Sequence, residues 1–138
     1  MPKRFHATEI WREDWFIELT ATEKALWFFI LDDCDHAGIW KPNTRIFCAL
    51  VRSRVNLEDA LARFNKGKER VSVLPNGRWL MVGFIAFQYG HVLNTGNKMH
   101  LSIISILNKN EVNLRCLGGQ VEVKHTLKDK DKDKDKAS

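Results

Sequence analysis

The chain has 138 residues, enough for one domain with a core, and its five Trp and eight Phe let that core form without disulfide staples. Three cysteines (Cys34, Cys48, Cys116) are odd in number and irregularly spaced, with no Cys-x-x-Cys and no histidine pair at zinc spacing, which argues against a disulfide framework or a zinc finger. The net charge of +5 is uneven: residues 41–78 hold nine bases and three acids, the first forty residues four bases and eight acids, so one middle block carries the field that attracts polyanions.

Met1-Pro2-Lys3-Arg4-Phe5-His6 is followed by nothing resembling a signal peptide. The longest apolar run, residues 25–31, falls far short of the ~20 residues of a membrane span, so the expectation is a soluble, cytoplasmic protein without membrane contact. In the Glu9-to-Phe16 stretch, Trp11 and Trp15 share a face if the segment is helical. Packing of Trp11, Trp15 and Phe16 against the next helix is the default. The rival is an oligomer contact, in which the acidic opening meets the basic block of another copy head to tail. Thr20-Ala21-Thr22-Glu23 fits a capping box and predicts a helix over 21–34. Its run 25–31 is apolar all round, the mark of a central helix. Asp32, Asp33 and Asp35 sit at the end where the helix dipole disfavours them unless they find partners. Gly38 then stops the helix, and Ile39-Trp40-Lys41 is a short strand closed by Pro42.

Asn43 or Thr44 caps a second helix reaching about Val51, with Ile46, Ala49 and Leu50 as its inner stripe. After the basic turn Arg52-Ser53-Arg54, Asn56 caps a third helix. Its Leu57, Ala60, Leu61 and Phe64 face inward, leaving Glu58, Asp59, Ala62, Arg63, Asn65 and Lys66 outside. The period then changes to two. Residues 71–74 and 78–82 flank Pro75-Asn76-Gly77, a hairpin signal whose Asn-Gly pair implies positive φ at both turn positions. Residues 94–97 read as a loop and 98–110 as a helix with Met99, Ile103, Ile106 and Leu107 inward. Gly118-Gly119 between 112–117 and 120–124 marks a second hairpin. Residues 128–136 alternate Lys and Asp with nothing to bury, which predicts a disordered, solvated spacer.

This order gives a fold class that is mainly α with a small antiparallel β component: a winged helix-turn-helix with an additional C-terminal helix. The predicted division is a winged-helix domain over 1–110, a hairpin extension over 111–127 and the tail over 128–138. The bases then fall where a DNA backbone would be touched. Arg45 lies on the second helix, Arg52 and Arg54 in the inter-helix turn, Arg63 and Lys66 on the third helix, and Lys68, Arg70 and Arg78 around the wing. Glu58 and Asp59 at the front of the third helix oppose deep groove insertion. Phosphate contact with modest sequence specificity, to duplex or single-stranded DNA, is therefore expected.

Other chemistry finds little support. Asp32, Asp33, Asp35 and His36 crowd one helix end, which rarely supplies convergent metal ligands. His91, His100 and Cys116 lack a nucleophile motif, and no phosphate-binding glycine loop occurs. The reading is non-enzymatic, with no metal and no cofactor.

Glu9-Ile10-Trp11-Arg12-Glu13-Asp14-Trp15-Phe16, the segment from Leu26 to Gly38 with its Leu31-Asp32-Asp33-Cys34-Asp35-His36-Ala37-Gly38 junction, and Phe87-Gln88-Tyr89-Gly90 resemble the N-terminal winged-helix domain of phage and prophage replisome-organiser proteins, related to primosomal DnaD-type N-terminal domains. The resemblance covers about residues 5–110, and the Lys-Asp tail is similar to the charged linkers that follow such domains. It implies origin or single-strand DNA binding, self-association and contact with replication proteins, the last through a C-terminal domain this chain does not contain. Two alternatives stand beside it: a winged-helix transcriptional regulator, and a protein-interaction or self-assembly module that binds no DNA.

Overall fold

The computed structural model describes residues 3–125, and the Lys-Asp repeat lies outside them. Among the described residues two compact units form, 3–82 and 83–125. No helix among the described residues is long and apolar enough to cross a membrane. The chain is mainly helical with a small antiparallel sheet.

The first unit is organised around the helix its capping box starts. A 3-10 turn, Thr8–Arg12, and a short helix α1, Asp14–Ile17, lead into α2, Ala21–Asp33. The Thr20 hydroxyl accepts from Glu23 N–H (3.1 Å) while the Glu23 carboxylate accepts from Thr20 N–H (2.9 Å). That reciprocal pair satisfies two of the free donors at a helix start. Aromatic rings then surround α2. Trp27 meets Trp15 and Phe64, each at 5.0 Å between centroids; Phe29 meets Phe47 at 5.3 Å, and Phe28 meets Phe16 at 5.7 Å. Such offset and edge-on contacts add to area burial, which for side chains of this size is about 1.5–3 kcal/mol each.

Beyond α2 come β1 (Ile39–Trp40), α3 (Thr44–Val51), α4 (Leu57–Phe64) and the hairpin β2 (Val71–Val73) and β3 (Trp79–Met81). The sheet order is β1-β3-β2, antiparallel throughout, with Trp40 opposite Trp79 and Ser72 opposite Leu80. Asn43 and Asn56 cap α3 and α4 through their side-chain oxygens, as expected.

Two details of this unit differ from the sequence reading. Gly77 has φ +86°, but no non-glycine in the hairpin loop has positive φ. Pro75 has no N–H with which to close a two-residue Asn-Gly turn, so it becomes part of the loop. The loop closes instead by Gly77 N–H to Leu74 O (2.8 Å) and Leu74 N–H to Arg78 O (2.7 Å), a three-residue connection with glycine in the left-handed position. Helix α3 buries a different face from the predicted one. Phe47 is its buried residue, at 1 % exposure, whereas Ile46, Ala49 and Leu50, the predicted inner stripe, face outward. Two apolar stripes compete on this helix, and the one with the aromatic ring packs on Phe29.

The second unit comprises α5 (Phe84–Tyr89), β4 (Val92–Asn94), α6 (Lys98–Lys109), a 3-10 turn (Leu114–Leu117) and β5 (Glu122–Lys124). Ile103 and Leu107 of α6 are buried as predicted, while Met99 is exposed. The expected Gly118-Gly119 hairpin does not form. Asn113 caps the 3-10 turn by accepting from Arg115 N–H (2.9 Å), and Leu117 is fully buried there. The chain continues into β5, which pairs in parallel with β4, Leu93 opposite Val123. A parallel pair needs a crossover, and α6 lies within it. Helix α5 and strand β4 were not anticipated.

Candidate nucleic-acid interface

The eight predicted contact residues divide into two groups according to what the opening segment does. Arg63 forms an ion pair with Glu23, whose side chain is only 5 % exposed. Lys66 pairs with Glu18 at 2.6 Å, both ends open to solvent. Arg70 donates to the main-chain oxygens of Phe64, Lys66 and Lys68 (3.1, 2.8 and 3.3 Å) and lies 4.3 Å above the Trp15 ring. Partial burial lowers the Arg70 pKa, while the nearby Glu13 carboxylate acts to raise it. Its guanidinium therefore closes the C-terminal end of α4 and clamps α1 beside it. Arg63 and Arg70 belong to the packing of α4 against the N-terminal segment, and Lys66 adds a solvent-exposed pair to it.

The other five face outward. Arg45, Arg52, Arg54 and Lys68 are exposed and Arg78 is half-exposed, and none of the five makes an ion pair among the described residues. Arg52 sits at the end of α3 with φ 54° and ψ 43°, a left-handed residue that lets the chain leave the helix toward α4. Ser53 is anchored by its hydroxyl to Thr22 Oγ1 at 2.8 Å, so the turn is tied to the start of α2 while its flanking arginines point to solvent. Asn76 accepts from Arg78 N–H (3.0 Å) and shapes the hairpin loop. Asn65, unmarked in the sequence reading except as an outer residue of α4, joins that helix to β2. Its oxygen accepts from Arg70 and Val71 N–H, and its amide donates to Val71 O.

Helix α4 shows Glu58, Asp59 and Ala62 on its open side. A cleft of about 440 Å³ lies between α1 and the 66–70 connection. Its walls carry Glu13, Asp14 and Glu18 against Lys66 and Arg70, so it holds no excess of positive charge for a phosphate.

Of the predicted oligomer contacts, Phe16 is fully buried and Trp15 meets Trp27 edge-on with the Arg70 guanidinium over its ring, which makes both part of the fold. Trp11 is 56 % exposed. The acids that crowd the end of α2 each have a partner: Asp33 accepts from Trp40 Nε1 (3.0 Å), Asp35 from Ala37 and Ile39 N–H, and Asp32 pairs with His6 at 3.3 Å. Arg4 supplies the positive charge that this helix end lacks in sequence, donating to Leu31, Asp32 and Cys34 main-chain oxygens. Among the described residues no group of three or more His, Cys, Asp or Glu is placed to hold a metal ion. His91, His100 and Cys116 are held by different groups, Gln120 O, Asn94 N–H and Asn113 Oδ1 respectively.

No protein-family model, curated protein or solved structure matches this chain.

Proposed function

We propose that residues 3–82 act as a winged helix-turn-helix that binds DNA through its phosphates, without enzymatic activity, in the service of phage or prophage replication initiation. The observation that carries the reading is the survival of Arg45, Arg52, Arg54, Lys68 and Arg78 as outward cations free of ion pairs among the described residues, while Arg63 and Arg70 are taken up by the fold and Lys66 is paired at the surface. The succession of α2, β1, α3, α4 and a hairpin, with the sheet ordered β1-β3-β2, supports the fold reading, since in that architecture turn and wing flank the helix that faces DNA. Arg52 and Arg54 would touch one backbone segment, and Lys68 and Arg78 another. Glu58 and Asp59 on the front of α4 weigh against deep base reading and hence against an operator-specific regulator. The resemblance to replisome organisers supplies the replication context.

Affinity for duplex, single-stranded and forked DNA, measured over a salt series, tests this. Replacing Arg52, Arg54, Lys68 and Arg78 together by Ala should leave the circular dichroism unchanged and lower the slope of log K against log salt by about 3 to 4 on duplex. Absence of DNA binding by the intact chain at about 50 mM salt, where phosphate contacts are strong, would overturn the reading.

A further inference from the structure

We propose that α3 and the turn after it form a contact surface for an anionic lipid membrane, with Ile46 and Leu50 entering the headgroup layer and arginines holding the lipid phosphates. Ile46 and Leu50 lie one helical turn apart and so share a face, and they are 57 % and 72 % exposed. At about 100° per residue, Ala49, also open, falls between Ile46 and Arg45 around the helix. The open surface of α3 therefore runs from arginine through alanine to two large aliphatic side chains. Aliphatic groups gain nothing from a phosphate backbone, so DNA contact does not explain them. A helix that sets an aliphatic strip beside a basic one has the pattern of segments that lie in a membrane interface, with the apolar strip about 5–10 Å deep and the bases among anionic headgroups. Such a contact needs no membrane-spanning length.

Charge selects an anionic surface. Lys41, Arg45, Arg52 and Arg54 are all exposed, none forms an ion pair among the described residues, and no Asp or Glu occurs from residue 41 to residue 57. The elements around α3 carry both signs. On α2, which packs on α3 through Phe29 and Phe47, Lys24 donates to Ile17 O, and Asp33 is exposed and accepts from Trp40 Nε1. On α4, Glu58 and Asp59 are exposed in the first turn, and Arg63 is paired with Glu23. The acids at the front of α4 confine the contact to α3 and its turn. The composition of the open face separates a lipid from a protein partner. It presents no aromatic ring, the kind of side chain in which the centres of protein interfaces are enriched, and the Ser53 hydroxyl is already bonded to Thr22. A lipid layer accepts aliphatic side chains of any shape, and arginine reaches its phosphates while its methylenes stay in apolar surroundings. Arg52 and Arg54 also belong to the proposed DNA contact, whereas Ile46 and Leu50 serve the membrane alone, and lipid binding does not depend on DNA binding.

Co-sedimentation of the full chain, freed of nucleic acid, tests this with vesicles of phosphatidylglycerol in phosphatidylcholine and with vesicles of phosphatidylcholine alone. The chain should bind the mixed vesicles and not the zwitterionic ones. Salt should weaken the binding without abolishing it at about 0.15 M, because aliphatic insertion is not screened. Ile46→Gln combined with Leu50→Gln should lower vesicle affinity at least about tenfold with unchanged circular dichroism, and should leave DNA affinity within about twofold. Arg45→Ala should lower vesicle affinity about fivefold. Leu50→Trp keeps the ridge apolar and adds a ring that favours the membrane interface, so it should tighten binding. That variant keeps the proposal open to refutation if the Gln variant fails to fold. Absence of binding to the anionic vesicles overturns the proposal, including the case in which α3 instead takes up an acidic protein helix. So do equal binding by the Gln variant, which would leave only adsorption of charge, an Arg45→Ala variant that binds normally, and a Leu50→Trp variant that binds no tighter.

Discussion

Replacing Arg63 by Ala separates an arginine held by the fold from those proposed to contact DNA. Its partner Glu23 is 3 % exposed and serves at once as the N3 carboxylate of the α2 capping box and as the counter-ion of Arg63 on α4. Removing one member of a fully buried ion pair costs about 3–5 kcal/mol, because the other charge is left in a poor solvent. Here the arginine side chain is 49 % exposed, water can reach part of the vacated space, and Glu23 keeps its 2.9 Å bond from Thr20 N–H. Those features reduce the cost to about 2 kcal/mol, which for a unit of this size lowers Tm by about 10 °C. Urea and thermal unfolding followed by circular dichroism measure it. The Glu23→Gln, Arg63→Met double variant should regain most of the loss, since Gln preserves the capping acceptor and no charge remains buried. DNA affinity of Arg63→Ala should change by less than about twofold, against losses of severalfold for Arg52→Ala or Arg54→Ala. An unchanged Tm together with a tenfold loss of DNA affinity would refute the argument and return Arg63 to the interface.

Arg52→Gly should be neutral to stabilising by up to about 1 kcal/mol, since glycine occupies the left-handed region without a Cβ penalty, yet it should weaken DNA binding; chemical denaturation and anisotropy read the two effects separately. Burial pushes the Cys34 thiol up to about 12, with the Arg4 guanidinium acting in the opposite sense. Its contribution to stability is full below pH 9, where the unfolded thiol begins to ionise, and is lost as pH rises toward 12. Over that window the intact chain should lose up to about 4 kcal/mol more than Cys34→Ala does, as urea titrations at stepped pH would show. In native protein, mass spectrometry after alkylation should find Cys48 and Cys116 modified well before Cys34. Gly77→Ala should cost about 1 kcal/mol from backbone strain alone, because a Cβ there meets nothing within 4 Å; a larger loss in thermal unfolding would mean the hairpin loop is packed against something.

Local chemistry in the chain was sufficient for much of the first unit. The Thr20-to-Glu23 box, the Asn43 and Asn56 caps, the period-two runs around Pro75-Asn76-Gly77 and the all-apolar 25–31 stretch each act within a turn or two of backbone, so the residues that form an element also announce it. The basic block was equally visible as composition. Which of its members remain outward was not, because that is settled between residues far apart. Arg63 finds Glu23 forty positions away and Lys66 finds Glu18 forty-eight away, pairs that exist only because α2 lies against α4 through the Trp27–Phe64 contact and α1 lies beside them. Periodicity on α3 pointed to Ile46, Ala49 and Leu50 as the inner stripe, and the packing of Phe47 on Phe29, a residue of another helix, turned that stripe outward. The double glycine at 118–119 suggested a hairpin, but β5 gained a partner in β4 and Leu117 a buried site. Hydrogen-bonded caps and turns are short-range interactions. Side-chain burial and charge pairing are paid in the free energy of the whole packed unit, and only the folded arrangement determines them.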